Sequence, residues 1–187
     1  MNNELKTTIL KDLYRYGGND AHFFNIYKTC EGFKFTVWFR IASHLQKVKH
    51  KHPLLYLISR DYLHHLIHKY GISINVGTNI GEGFYIGHFG GIVVNGAANI
   101  GKNVNISHGV TIGQTNRGAY QGVPTIGNNV YIGPGATIIG GITIGNNVAI
   151  GANAVVTRDI PDNAVAIGVP ARVISDRGSM EYVNFTI

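Results

Sequence analysis

Cysteine is nearly absent. Cys30 is the only one in 187 residues, which excludes an intrachain disulfide and a thiolate metal site and fits a reducing, cytoplasmic setting. No apolar run approaches the roughly 18 residues of a membrane-spanning helix, and the opening MNNELKTTILKDLYRYGG lacks the apolar core of a secretion signal. Charged residues make up only 14%, and the basic ones show neither aromatic interleaving nor a helix-turn-helix pattern, so nucleic acid is not an expected partner. With five prolines and no Gly-X-Y triplet, collagen and low-complexity disorder are excluded. Glycine, in contrast, is plentiful: 21 of 25 lie between Gly71 and Gly168, and they require a folded explanation.

The net charge of +6 is also uneven. Residues 1–72 hold eleven Lys/Arg against five Asp/Glu, and the rest hold five of each. A basic unit therefore precedes a neutral, Gly-rich one. Attraction to anionic surfaces and lysines scattered on solvated helix faces both account for the excess.

Isoleucine supplies the period. Ile74, Ile80, Ile86 and Ile92, then Ile100, Ile106 and Ile112, then Ile126, Ile132, Ile138, Ile144 and Ile150, closing on Val156, advance in steps of six. This is neither a helical nor a simple strand period. It predicts a parallel β-helix in which each hexad forms one flat side and 18 residues complete a triangular coil, with the leading branched residue inside and Gly or Asn at the corners. The phase slips twice. From Ile86 to Ile100 and from Ile112 to Ile126 the spacing is 14, two hexads plus two residues. The first slip is assigned near Val93–Gly96. The second falls in residues 114–124, whose polar composition reads as a loop extruded from the coil, where binding residues tend to be placed.

Apolar spacing over Leu5–Tyr16, Gly32–Val48 and Leu54–Tyr70 predicts helices, the last opening at His52-Pro53. The chain thus divides into an α-helical N-terminal domain (1–72), a β-helix domain (73–174) and a tail (175–187) without a clear signal.

The hexads, followed by Ile167-Gly-Val-Pro-Ala-Arg172, resemble the hexapeptide-repeat acyltransferases of the left-handed β-helix superfamily. Gly32-Phe33 with Arg40-Ile41 and His44, and the stretch Gly83-Phe-Tyr-Ile-Gly-His88-Phe-Gly-Gly-Ile-Val-Val, are most similar to segments of its serine acetyltransferase group. The resemblance implies a left-handed parallel β-helix, a homotrimer with sites between neighbouring copies, acetyl-CoA as co-substrate, no metal, and His88 as the catalytic base. An imidazole suits the base role, because a thioester is already activated and the acceptor alcohol needs only to lose its proton.

Several family residues are replaced. The histidine and preceding arginine that the resemblance assigns to substrate fall on Val123 and Gly122, and its two aspartates fall on Gly87 and Ser73. Those groups hold an amino acid's ammonium and carboxylate, so their joint loss favours a sugar or polysaccharide-precursor hydroxyl, as in the short O-acetyltransferases of capsule and polysaccharide biosynthesis. Serine O-acetylation and a non-catalytic trimeric scaffold are the alternatives. His108, third in its hexad like His88, lies one coil plus two residues further on. It is a candidate for acceptor or cofactor contact, or a solvated histidine. Ser73, a backbone carbonyl or a neighbouring subunit are the candidates to orient His88.

For the cofactor, the resemblance implies a groove lined by small residues, here Gly113, Gly133, Gly135, Ala136, Gly151 and Ala152. Arg158 and Arg172 are its expected phosphate partners, since a guanidinium matches phosphate geometry. His64, His65 and His68 put an i,i+4 pair on one helix face, a weak metal site without a carboxylate. Lys47-Val-Lys-His-Lys-His52 and Arg60 read either as a solvated turn or as a peripheral contact with a membrane-bound or anionic precursor.

Overall fold

The hexads fold as flat strands of two or three residues, because each carries a branched residue that must be buried next to glycines and asparagines that can turn a corner. The computed structural model describes residues 3–187. Five strands form the first face: β1 (Ile72–Ile74), β4 (Ile92–Val94), β7 (Thr111–Gly113), β10 (Thr137–Ile139) and β13 (Val155–Val156). The second face holds β2 (Asn79–Ile80), β5 (Asn99–Ile100), β8 (Thr125–Ile126) and β11 (Thr143–Ile144). The third holds β3 (Tyr85–Ile86), β6 (Asn105–Ile106), β9 (Tyr131–Ile132), β12 (Ala149–Ile150), β14 (Val165–Ile167) and the antiparallel β15 (Arg172–Ser175). All other pairings named in these sheets are parallel, and the inward residues stack in columns such as Ile86, Ile106, Ile132, Ile150 and Ala166, each at most 1% exposed. This is the expected parallel β-helix.

The register moves the first phase slip and leaves the second in place. Ile74 pairs with Val94 rather than Ile92, so the first pair of extra residues lies between Ile86 and Val94, in the turn around His88-Phe89-Gly90-Gly91, and not near Val93–Gly96. Apolar spacing could not separate the two, because β4 buries both Ile92 and Val94. At the second slip, Ile112 and Ile126 lie on successive faces. The segment 114–124 therefore lengthens one hexad step, and it closes on itself through Thr115 and Gly122, which exchange both backbone hydrogen bonds (3.0 and 2.9 Å).

Ahead of the coils come α1 (Asn3–Tyr14), α2 (Phe23–Thr29), α3 (Glu31–Lys47) and α4 (Pro53–Tyr70). Three match the expected spans to within a turn at each end, and α2 was not foreseen. No described helix is long and apolar enough to cross a membrane.

A solenoid's first coil leaves backbone groups without a preceding strand, and such an edge must be paired or covered. The helical domain supplies the partners from its side chains. Arg40 donates to the carbonyls of Ile80 and Gly81 (both 2.6 Å) and, through Nε, to Asp12 (2.8 Å). Asp12 in turn accepts from the Phe84 amide (2.9 Å). Arg15 reaches the Gly83 carbonyl and the Asn105 side chain (2.6 and 2.7 Å), and the Tyr16 hydroxyl bridges the Ile86 amide and carbonyl, both at 3.1 Å. Among the described residues no buried side-chain polar atom lacks a partner. Burial pushes the Asp12 carboxyl up, against the pull of Arg40, and it pushes the Tyr16 hydroxyl well up.

Gly32 makes this approach possible. A Cβ at that position would stand 2.1 Å from the Ile86 carbonyl oxygen and 2.7 Å from Ile86 Cβ, so α3 can lie on β3 only without one. Gly32→Ala is expected to cost about 2–3 kcal/mol, as forced overpacking does, and a denaturation midpoint within error of the parent would refute that account.

The tail, unreadable in the sequence, runs back along the third face. Ser179 donates to the Asn147 carbonyl (3.0 Å), Tyr182 stacks on Tyr131 at 4.7 Å, and Arg15 Nε reaches the Asn184 carbonyl (2.8 Å). It thereby ties the last coils to α1.

Candidate active site

The corner between the third and first faces carries the chemistry. Its coils are aligned by backbone hydrogen bonds: Gly109 donates to Gly90, Gly135 to His108 and Asn153 to Pro134, at 2.8, 3.0 and 2.8 Å. Gly90, His108, Pro134 and Ala152 therefore form one column, climbing about 4.8 Å per coil. The residue after each turns the corner with a positive φ, +66° at Gly91, +71° at Gly109 and +69° at Gly135, where a side chain would be strained.

Against this alignment the first coil has two residues to spare, His88 and Phe89, and they bulge outward. Phe89 leans on Tyr70 at the end of α4, with ring centroids 5.8 Å apart. His88 meets His108 at 6.2 Å, ring edge to ring face. The two histidines thus meet across neighbouring coils, though not at the equivalent hexad positions that their spacing suggests: His108 stands above Gly90, and His88 reaches it from the bulge. Both are exposed, and among the described residues no ring nitrogen of either accepts or donates a hydrogen bond. Their nitrogens are open to a ligand. Ser73 lies outward on β1, paired with Val93, and among the described residues it forms no hydrogen bond with His88. Phe89 and Tyr70 were not singled out in the sequence. No sequence signal would have found them, because apolar spacing accepts either Ile92 or Val94 as leader and so does not place the bulge.

Above the histidines the column becomes a ledge of backbone. Ala152 is exposed, and among the described residues its amide donates to no backbone carbonyl. Gly135 and Gly151 are half-buried beside it, and Gly113 is half-buried at the end of β7. Ala136 and Gly133 do not join this ledge. Ala136 is 0% exposed in the core, with its amide on the Gly133 carbonyl (3.2 Å) and its carbonyl taken by Thr111 (3.0 Å). Gly133 is buried, with its amide given to Ile150 (2.8 Å). These two thin the corner from within.

Across the first face, at the same end of the solenoid, Arg158 and Arg172 line a single cleft of about 330 Å³ together with Thr157, Asp159 and Ala171. Arg158 donates to the Tyr120 hydroxyl (3.2 Å) and lies over its ring at 5.4 Å, which links the cleft to the extruded loop. Arg172 donates to the Ala171 carbonyl (2.9 Å). Two exposed guanidiniums sharing one cleft suit a polyanionic ligand.

Gly122 and Val123 sit on that loop, at the corner between the first and second faces, a different edge from His88. A Cβ at Gly87 would come within 3.0 Å of the Tyr85 ring and 3.2 Å of its hydroxyl. Tyr85 thus fills the space beside His88 that a side chain at 87 would need.

Comparison with known proteins follows the same outline. Residues 124–158 match the family described as bacterial transferase hexapeptide (six repeats). The chain is 35% identical over 108 residues to the serine acetyltransferase of Bacillus subtilis, covering 58% of this chain and 50% of that protein. It therefore spans about half the length of the curated relatives it matches first. A solved serine acetyltransferase in complex with cysteine superposes with a TM-score of 0.75 at 30% identity, covering 93% of this chain and 71% of that one. A serine acetyltransferase in complex with coenzyme A from Brucella abortus does so with the same score and identity, over 93% and 67%. The repeat, the helical domain docked on its first coil and these likenesses together show that the chain belongs to the hexapeptide-repeat acyltransferases, within the serine acetyltransferase-like group.

Proposed function

We propose that the protein is an acetyl-CoA-dependent O-acetyltransferase with His88 as general base. The observation that carries this reading is the pair of exposed histidines with open ring nitrogens at the foot of a backbone ledge. His88 takes the proton from the acceptor hydroxyl as its oxygen attacks the thioester carbonyl. The C–S bond then breaks, and the departing sulfur takes the proton back from the imidazolium. Acetyl-CoA is the second substrate, and no metal enters the step. Its pantetheine arm would lie along Gly113, Gly135, Gly151 and Ala152, where backbone can be approached closely, and its phosphates would meet Arg158 and Arg172. His108, one coil above the base, contacts the acceptor or the thioester end.

The functional unit is a homotrimer on this reading. In one chain His88 and the 114–124 loop occupy different edges, and a neighbouring copy would bring its own loop to the His88 edge.

Serine is the acceptor that the relatives support, since those named above are serine acetyltransferases, and it stands ahead of the sugar hydroxyl expected from the sequence. The sugar reading keeps one observation in its favour. Glycine at 87 and 122, valine at 123 and serine at 73 offer no charged partner to an amino acid's ammonium and carboxylate. Thiol release from acetyl-CoA should be followed with L-serine and, in parallel, with galactosides, sialic acids and capsular oligosaccharides. Acceptor-dependent release is expected. Saturable turnover with serine selects the first acceptor, turnover confined to the saccharides selects the second, and release with no acceptor at all overturns acetyl transfer.

A further inference from the structure

The N-terminal half of α4 turns an apolar stripe to solvent. Leu54 is 68% exposed, Leu55 54% and Ile58 55%, with Leu57 and Tyr62 beside them. The opposite side of the helix, Ser59, Leu63, Leu66 and Tyr70, is the buried one. An isolated exposed leucine needs no explanation, but a contiguous group on one helix face does. Directly before it, the turn joining α3 to α4 carries Lys49 and Lys51, both exposed, and among the described residues neither forms an ion pair. The only acidic side chain between Lys47 and Tyr70 is Asp61, which is paired with Arg60 at 2.9 Å.

We propose that this surface docks the protein on an anionic lipid bilayer. Apolar side chains on one face of a helix, flanked by uncompensated lysines, match the two layers such a surface presents: acyl chains that take leucine and isoleucine, and a negative headgroup plane that holds the cations. The charge selects this occupant. The helical part of a second copy is itself basic, with eleven Lys/Arg against five Asp/Glu over residues 1–72, and offers these lysines no excess of acid, whereas a headgroup plane does. The surface lies on the helical domain and involves no residue assigned to the acetyl-transfer site, so it holds whatever the acceptor is.

Co-sedimentation of the full chain with vesicles tests it. Binding is expected to vesicles of phosphatidylcholine containing phosphatidylglycerol, and to weaken as salt rises. Each lysine near such a surface contributes about 1 kcal/mol, roughly fivefold in affinity, so Lys49→Gln with Lys51→Gln should weaken binding about 30-fold. Leu54→Ser with Ile58→Ser should abolish it. Both variants change exposed side chains only, so the unfolding midpoint should stay with the parent and serves as the control for folding. Three results overturn the proposal: no sedimentation with the anionic vesicles, equal binding to phosphatidylcholine alone, or a drop in oligomeric mass by light scattering when Leu54 and Ile58 are replaced. The last would give the face to a second copy.

Discussion

Replacing His88 by alanine is expected to lower kcat for acetyl transfer by about a thousandfold, within the range that a positioned general base contributes, with the KM for acetyl-CoA little changed. The separation of the two constants follows from the geometry. His88 is exposed in a two-residue bulge, touches His108 ring to ring at 6.2 Å, and holds up no part of the fold, so its removal takes away a proton acceptor and leaves the ledge intact. The melting temperature should therefore match the parent, and added imidazole should restore part of the rate. Ser73→Ala should cost far less, since no hydrogen bond joins Ser73 to the ring among the described residues. A His88→Ala protein that keeps more than a tenth of its activity would remove the base assignment. A loss confined to KM would make His88 a binding residue.

The β-helix was legible because its signal is redundant. A branched residue every six positions specifies a flat side many times over, and no helix or simple strand would tolerate that pattern. Less redundant features were read less well. The position of the first phase slip depended on choosing between Ile92 and Val94, and burial of both makes either an acceptable leader. Only the pairing of Ile74 with Val94 decides it. Moving the slip is what turns His88 from an ordinary third position in a hexad into part of a bulge supported by Tyr70.

The site was partly legible for a related reason. Side chains that end in a charge or a ring nitrogen can be named from sequence, and His88, His108, Arg158 and Arg172 fall where a ligand could reach them. Small residues carry no such group, and only their place in the hexad tells a ledge from a core, the fifth position being buried in coil after coil, as at Val104, Val130 and Val148. Ala152, third in its hexad, is exposed and among the described residues gives its amide to no backbone carbonyl, while Ala136, fifth in the hexad one coil below, is wholly buried. The difference is the direction of one Cα–Cβ bond. The cap clamp was illegible because Asp12, Arg15 and Arg40 meet partners from 28 to 169 residues away in sequence, such as Asp12 for Arg40 and Asn184 for Arg15, and no local pattern marks a buried charge.

That clamp carries the largest expected loss of stability. Arg40→Ala leaves the Asp12 carboxylate, 0% exposed, without its cation and strips the Ile80 and Gly81 carbonyls of their donors. Breaking a buried pair from one side costs about 3–5 kcal/mol, a fall in melting temperature on the order of 10 °C for a chain of this size. The pair itself is not the source of that stability, since bringing two charges into the interior is expensive. What the pair achieves is to cover the open edge of the first coil, and Asp12→Asn combined with Arg40→Ala should therefore recover part of the loss by removing the stranded charge while the two carbonyls stay bare. The damage should also be local. Hydrogen exchange at the Phe84 and Ile86 amides, held by Asp12 and Tyr16, should quicken, whereas amides paired between later coils, such as Gly127 to Ile144 at 2.8 Å, should keep their protection, because each coil of a solenoid depends mainly on its neighbours. A loss below about 1 kcal/mol, set against that 3–5 kcal/mol expectation, or exchange quickened equally in every coil, would show that the helical domain is not held to the β-helix through Arg40.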